Sequence, residues 1–157
     1  MDSTMNAHDR LEELVRRFST LERDTELRQF ACWVAAQTNP SLKSHQNILT
    51  TISRELELAG QVSKVCFETR EEFHGTAIAA GTVGMNHAPQ SASSFLACYA
   101  CADEDPFQAA GKAVDYACRW YQAANGSADD EVFAQQLADK LEAMWNQLSG
   151  EQSPDSD

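Results

Sequence analysis

Apolar side chains recur along most of the chain at intervals of three and four residues, the spacing of one face of an α-helix. The first stretch with this spacing is formed by Leu11, Leu14, Val15 and Phe18. It predicts a helix over about residues 7–21. Similar stretches predict six more helices, over about residues 24–38, 41–60, 62–87, 91–102, 105–125 and 127–149. The connections between them are short, so the chain is expected to be an all-α, single-domain bundle of about six to seven antiparallel helices.

Residues with capping side chains stand where several of these helices should begin. Asp24, Asp105 and Ser127 are each placed to accept hydrogen bonds from the first turn of the helix that follows. Pro106 occupies the first helical position after Asp105, where its missing N–H has no cost. These positions support the division of the chain into separate helices.

The segment over residues 62–87 is harder to assign. Residues 62–67 have some strand propensity, but the residues after them favour a helix, so we expect one broken or bent helix. Three glycines would loosen it, namely Gly75, Gly81 and Gly84. Pro89 follows, and either Ser91 or Ser93 is expected to begin the next helix.

Small residues concentrate in the middle of the chain, chiefly as alanines between residues 77 and 117. Small side chains at a contact allow two helix axes to approach closely. The helices over residues 91–102 and 105–125 are therefore expected to form a tightly packed central pair. The whole helical domain is predicted to span residues 7–149, between a flexible N-terminus (1–6) and a disordered acidic tail (150–157).

The chain carries 24 acidic and 12 basic residues, and the imbalance is uneven. After residue 60 there are 15 Asp and Glu against five Lys and Arg. Such a field repels nucleic acid and anionic membranes and favours a basic protein partner. The alternative is that the negative charge serves solubility alone.

The chain has five cysteines, so an odd one would remain in any disulfide framework. This number suits a reducing compartment, and the cysteines are expected to act as small buried apolar residues. The first residues lack the basic and apolar stretches of a signal peptide, and no apolar run is long enough to span a membrane. We therefore expect a soluble, cytoplasmic protein.

Two motifs could carry chemistry, but each is incomplete. Cys98 and Cys101 form a CxxC pair, but no second pair of ligands accompanies it to complete a zinc site. Glu71 and His74 have the spacing found in di-metal helix bundles, yet the motif is not repeated. We expect no catalytic residues, no metal and no cofactor, and hence a protein that is not an enzyme. A metal or redox protein that uses Glu71, His74 and the cysteines remains an alternative.

Two acidic clusters and one aromatic residue are the candidate binding residues. The acidic clusters are Asp103, Glu104 and Asp105 in one loop, and Asp129, Asp130 and Glu131 at the start of the last helix. Helix capping and solvation can explain both clusters. If the two loops meet at one end of the bundle, however, they would form an acidic patch for a basic partner, with Trp120 as an aromatic anchor.

The order of motifs along the chain carries a family resemblance. The helix after Asp24 carries the motif Leu27-Arg28-Gln29-Phe30-Ala31, and alanine-dense helices ending in Ala117-Cys118-Arg119-Trp120 follow it. Over residues 27–120 this resembles a group of alanine-rich, all-helical bacterial proteins described as immunity proteins of polymorphic toxin systems. The resemblance implies a cytoplasmic protein that binds a toxin, here a basic one, and blocks it. A self-assembling helical scaffold is the alternative, and the oligomeric state stays open.

Overall fold

All seven predicted helices are present in the computed structural model, which describes residues 6–40, 42–126 and 129–152, with side chains up to Leu148. We number them α1 (Ala7–Thr20), α2 (Asp24–Ala36), α3 (Lys43–Leu58), α4 (Val62–Ala79), α5 (Pro89–Ala100), α6 (Pro106–Ala124) and α7 (Glu131–Gln152). The described residues contain no strand, and residues 62–67 are helical. The all-α prediction is therefore confirmed.

The helix starts agree only in part with the predicted caps. Asp105 caps α6 as expected, because its carboxylate accepts a hydrogen bond from the Phe107 N–H at 3.0 Å. Asp24 is the first residue of α2 rather than its N-cap. The preceding residue, Arg23, holds the cap position because its N–H bonds to the Phe18 carbonyl and closes the turn after α1. The prediction for Ser127 falls outside the described residues.

The ends of the domain also differ from prediction. Asn6 was assigned to the flexible N-terminus, but its side chain accepts a hydrogen bond from the Asp9 N–H at 2.8 Å and caps α1. At the other end, α7 continues past the predicted boundary at residue 149 to Gln152. Residues 1–5 and 153–157 lie outside the described residues.

The irregularity predicted in the segment over residues 62–87 is an interruption of the α-helix. After α4 the backbone widens into a π-helical turn over Ala80–Gly84, followed by the short helical turn Met85–His87. A Cβ at Gly84 would lie 3.0 Å from the Ala92 Cβ, so glycine permits the close approach of α5 here. The start of α5 was predicted wrongly at Ser91 or Ser93: the helix begins at Pro89, whose ring favours the first helical position.

The predicted central pair is confirmed, since α5 and α6 make the most extensive helix contact in the described part of the chain. Both helices contribute fully or almost fully buried alanines to the core: Ala97, Ala100, Ala109, Ala110, Ala113 and Ala117. Two further extensive contacts, α2 with α6 and α1 with α7, join helices that are distant in sequence. The large buried side chains of Leu27 and Phe30 on α2 complete this core.

The pairing of α1 with α7 departs from a succession of antiparallel neighbours. The Ala7 N–H, at the start of α1, donates to the Glu131 carboxylate at the start of α7. Further along, Phe18 contacts Trp145 edge to face at 5.2 Å. The N-terminal part of α1 thus contacts the N-terminal part of α7, and the C-terminal part of α1 contacts the later part of α7. The two helices therefore run parallel.

Among the described residues, no helix combines the length and the apolar character needed to cross a lipid bilayer.

Candidate functional site

The two predicted acidic clusters lie at opposite ends of α6. One precedes its first residue and the other follows its last, and 19 helical residues separate them. At 1.5 Å per residue this is about 28 Å along the axis. The single acidic patch expected at one end of the bundle is therefore not formed. The reason is topological, because the two loops that flank one helix cannot share an end.

Most carboxylates of the first cluster are engaged within the protein. The Asp103 carboxylate accepts a hydrogen bond from Lys112 Nζ at 2.7 Å and another from the Asp105 N–H at 3.0 Å. Partial burial opposes ionisation of Asp103, but these hydrogen bonds outweigh it and keep the pKa of that carboxyl below its usual value. Asp105 is exposed, but its carboxylate caps α6, and the side chain of Glu104, 78% accessible, lies 3.6 Å from Arg70.

A buried arginine holds the loop that carries this cluster. Arg28 of α2 is 5% exposed and donates to the backbone carbonyls of Cys101 and Asp103, each at 2.7 Å, and of Glu104 at 3.3 Å. These carbonyls lie at or just beyond the C-terminus of α5, where acceptors lack helical partners and a cation is favoured. Arg28 thus has a structural role that the sequence pattern did not reveal.

The second cluster joins the N-termini of α1 and α7. Asp129 accepts a hydrogen bond from the Glu131 N–H at 3.0 Å, and Glu131 in turn accepts one from the Ala7 N–H at 2.9 Å. Asp130 is buried, with its carboxylate between His8 and Gln122. These contacts stabilise the fold and leave little free charge for a partner.

Trp120 does not stand free as an aromatic anchor. Its ring is half-buried and packs at 6.2 Å from the ring of Phe133, within the core between α6 and α7. Its remaining surface borders a cavity of about 200 Å³ with His45 and Ser94. Trp120 is therefore part of the edge of the core.

The cysteines and the Glu71–His74 motif do not combine. All five cysteines are buried, as the apolar pattern predicted. Burial raises the pKa of the Cys98 thiol to about 12 and that of Cys101 well above its ordinary value. Such thiols are poor nucleophiles. Glu71 and His74 are exposed on α4, and in the described residues they belong to no group of three ligating side chains.

Among the seven numbered helices, α4 has the fewest buried residues in the described part of the chain, and sequence reasoning did not single it out. Only Cys66 and Thr69 of α4 are buried. Its opposite side carries the exposed residues Phe67, Glu68, Glu71, Glu72 and Ile78, which we call the α4 face.

The geometry of the α4 face follows from helical spacing. Phe67, Glu71 and Ile78 form one stripe, because steps of four and seven residues return to the same side of a helix. Phe67 and Ile78 are each 54% exposed, although both are large apolar residues. Within the described chain, no cation lies within salt-bridge distance of any of the three glutamates. The face thus combines two large apolar side chains with three glutamates that form no ion pair, and the exposed Lys64, seven residues before Glu71, lies on the same side of the helix.

A cavity of about 370 Å³ borders this helix on the side of α5 and α6. Three of the five basic residues after position 60 line it: Arg70, Lys112 and Arg119. Each already has a partner. Lys112 bonds to Asp103, Arg70 lies 3.6 Å from the Glu104 carboxylate, and the Arg119 guanidinium lies over the Tyr116 ring at 5.4 Å. The three cations at this cavity therefore neutralise local carboxylates or cover a ring, and none of them forms an ion pair with a glutamate of α4.

A different group of ligating side chains converges beside the second acidic cluster. One donor atom each from His8, Cys118 and Asp130 lies within 4.8 Å of the other two. His8 Nε2 is 2.9 Å from Asp130 Oδ1, and Gln122 Nε2 donates to Asp130 Oδ2 at 3.0 Å. Burial, and then the carboxylates of Asp130 and Asp115, raise the pKa of the Cys118 thiol to about 12. No local motif reveals this group, because its members are up to 122 residues apart in the chain.

No protein-family model, curated protein or solved structure matches the chain. Its candidate sites are thus defined by exposure, charge and geometry.

Proposed function

We propose that this is a non-enzymatic, cytoplasmic protein-binding module that binds a basic protein through the α4 face. The observation that carries the proposal is the presence of two exposed large apolar side chains, Phe67 and Ile78, beside three unpaired glutamates on one helix. The loops first expected to bind a partner are occupied by capping and internal ion pairs. The α4 face is a better docking surface because its glutamates form no ion pair in the described part of the chain, although the Arg70 guanidinium lies over the Phe67 ring at 5.9 Å.

The chemistry of the α4 face specifies the partner. Burial of Phe67 and Ile78 would provide affinity, since apolar area removed from water stabilises a complex by roughly 25 cal/mol per Å². The glutamates would attract a surface rich in Lys or Arg and exclude an acidic one. The net charge of −12 extends this preference beyond the contact itself. A partner that presents apolar residues flanked by basic residues satisfies both requirements.

The family resemblance over residues 27–120 suggests what this partner is. Proteins of the immunity type bind a toxin and block it, and a nuclease toxin is commonly basic because its substrate is an anion. We therefore propose a basic toxin domain as the partner, with inhibition by occlusion as the mechanism. A cationic site covered by the α4 face could not reach its substrate.

Self-assembly is the competing function. A symmetric dimer through the α4 face would place the three glutamates of one copy against those of the other. Like charges in contact oppose association. Light scattering that gives the mass of one chain, 17.3 kDa, is the result expected. A stable dimer dissociated by Phe67→Ala would favour the scaffold function instead.

The binding proposal can be tested with a defined probe, a fluorescent amphipathic helical peptide of leucine and lysine. We expect Phe67→Ala and Glu71→Lys each to weaken its binding about tenfold, the equivalent of about 1.4 kcal/mol. Leu58→Ala and Glu57→Lys on α3 are matched controls, because both residues are also exposed. Equal affinity of all five proteins for the peptide would contradict docking at α4. So would equal binding of a peptide with glutamate in place of lysine.

A further inference from the structure

The strongest feature outside the α4 face is the meeting of His8, Cys118 and Asp130 near the N-termini of α1 and α7. Each residue comes from a different part of the chain: α1, α6 and the segment just before α7. One nitrogen, one sulfur and one oxygen donor lie within 4.8 Å of one another. We propose that these three side chains form a binding site for a divalent transition-metal ion, with Zn²⁺ as the ion that fits best.

The donor set favours zinc over harder cations. Zinc is bound in proteins by thiolate, imidazole and carboxylate ligands, with bond lengths of roughly 2.0–2.3 Å. Magnesium and calcium prefer oxygen donors alone. In a tetrahedral site those bond lengths place the donors roughly 3.3–3.8 Å apart. The His8 Nε2–Asp130 Oδ1 distance of 2.9 Å would need to open by only about half an ångström.

The surroundings of the three donors also favour a cation. Asp130 is buried, yet its carboxylate is contacted by a half-exposed histidine and an amide rather than by Lys or Arg. The second carboxylate that acts on the Cys118 thiol is Asp115, one turn before it on α6. A divalent cation at this point would offset the buried charge of Asp130 and lie near a second carboxylate, that of the exposed Asp115.

The neighbouring side chains supply the support that metal ligands need. Gln122 donates to Asp130 Oδ2 and fixes the orientation of the carboxylate, leaving Oδ1 toward His8. Such outer hydrogen bonds are a regular feature of metal sites. Cys118 is held rigidly because it lies within α6 and is 5% exposed.

A groove beside His8 offers a path by which an ion could enter. The His8 side chain is 44% exposed, and it borders a groove of about 410 Å³ between α1 and α6. Asp115 lines the same groove. An ion could enter past His8. Three protein ligands would leave a fourth position for water or a group from a bound partner.

The site can be tested by titrating the purified, metal-free protein with Zn²⁺ and, as a spectroscopic probe, Co²⁺. We expect one equivalent of Zn²⁺ to bind by calorimetry, and Co²⁺ to give a thiolate-to-metal charge-transfer absorption band. Cys118→Ser should abolish that band and weaken Zn²⁺ binding at least tenfold. Cys98→Ser, which alters another buried thiol, is the matched control. It should leave the absorption band and the affinity for Zn²⁺ unchanged.

A second pair of variants distinguishes the loss of a metal ligand from the loss of the fold. His8→Gln changes a half-exposed side chain near the start of α1, so the fold should persist, as circular dichroism can verify. It should also weaken Zn²⁺ binding at least tenfold, whereas His74→Gln on α4 should not. The proposal would be overturned if the wild type bound no Zn²⁺. It would be overturned equally if binding survived in Cys118→Ser and His8→Gln.

Discussion

Arg28 offers the sharpest test of how the fold is held together, through its replacement by methionine. Methionine retains much of the buried side-chain volume but removes the guanidinium. The substitution removes the donors to three backbone carbonyls, those of Cys101, Asp103 and Glu104. We expect Arg28→Met to lower the free energy of unfolding substantially while leaving the helix content of the folded state similar.

The magnitude follows from what each carbonyl loses. The bond to Cys101 is buried, so this carbonyl would be left without a partner, at a cost of about 1–3 kcal/mol. The carbonyls of Asp103 and Glu104 are only partly buried, and water can replace part of each bond, which leaves about 0.5–1 kcal/mol apiece. Because methionine is apolar, the variant no longer buries a charge, and this recovers part of the lost free energy of unfolding. The net loss should be about 3 kcal/mol.

Urea unfolding followed by circular dichroism measures this difference. Arg54→Met on α3 is the matched control, because Arg54 is exposed, and it should change the free energy of unfolding by less than about 0.5 kcal/mol. Arg28→Lys keeps the charge but loses the planar set of donors, so its free energy of unfolding should lie between those of Arg28→Met and Arg54→Met. An Arg28→Met protein as stable as the Arg54→Met protein would refute the structural role assigned to Arg28.

Three further predictions concern packing, pH and thiol reactivity. Gly84→Ala should destabilise the protein by about 1–2 kcal/mol because the new Cβ meets Ala92 at 3.0 Å. Gly111→Ala, in open space on α6, should instead stabilise the protein by about 0.5–1 kcal/mol. Thermal unfolding of the two variants tests both expectations. Burial lowers the pKa of His45 in the folded state. The free energy of unfolding should therefore be independent of His45 ionisation above the unfolded pKa of about 6.5, and it should fall as the pH drops below that value. His45→Gln should reduce this pH dependence and His87→Gln on the surface should not, as urea unfolding at pH 5 and pH 8 would reveal. All five cysteines should resist a thiol reagent such as dithionitrobenzoate in the folded protein and react in denaturant; rapid reaction of several thiols under native conditions would contradict their burial.

Helices were predictable from this sequence because their local signals agree with one another. The stripe from Leu11 to Phe18 and the Asp105–Pro106 pair define helix positions without reference to distant residues. Pro89 was misjudged because a serine cap was preferred to a proline at the first helical position. The alanine-rich central pair could also be anticipated, since small residues on successive helices favour close packing.

The binding surfaces were not predictable in the same way. Charge runs are visible in sequence, but their partners are not: Asp103 bonds to Lys112 nine residues on, and Asp130 to His8 at the other end of the chain. The parallel pairing of α1 with α7 creates the latter contact. Phe67 and Ile78 carry no signal in the sequence that separates them from core residues, and only the packing of α4 shows that each is 54% exposed.

The central claim, that a basic protein docks on α4, can be tested most directly by photo-crosslinking in the source cells. The photoreactive residue benzoylphenylalanine would replace Phe67 in one protein and Leu58 on α3 in the control, since both positions are exposed. The proposed function predicts a crosslinked partner with a basic isoelectric point at position 67, none at position 58, and loss of the crosslink when Glu71→Lys is added. A crosslink that is equal at both positions, or that joins an acidic partner, would contradict it.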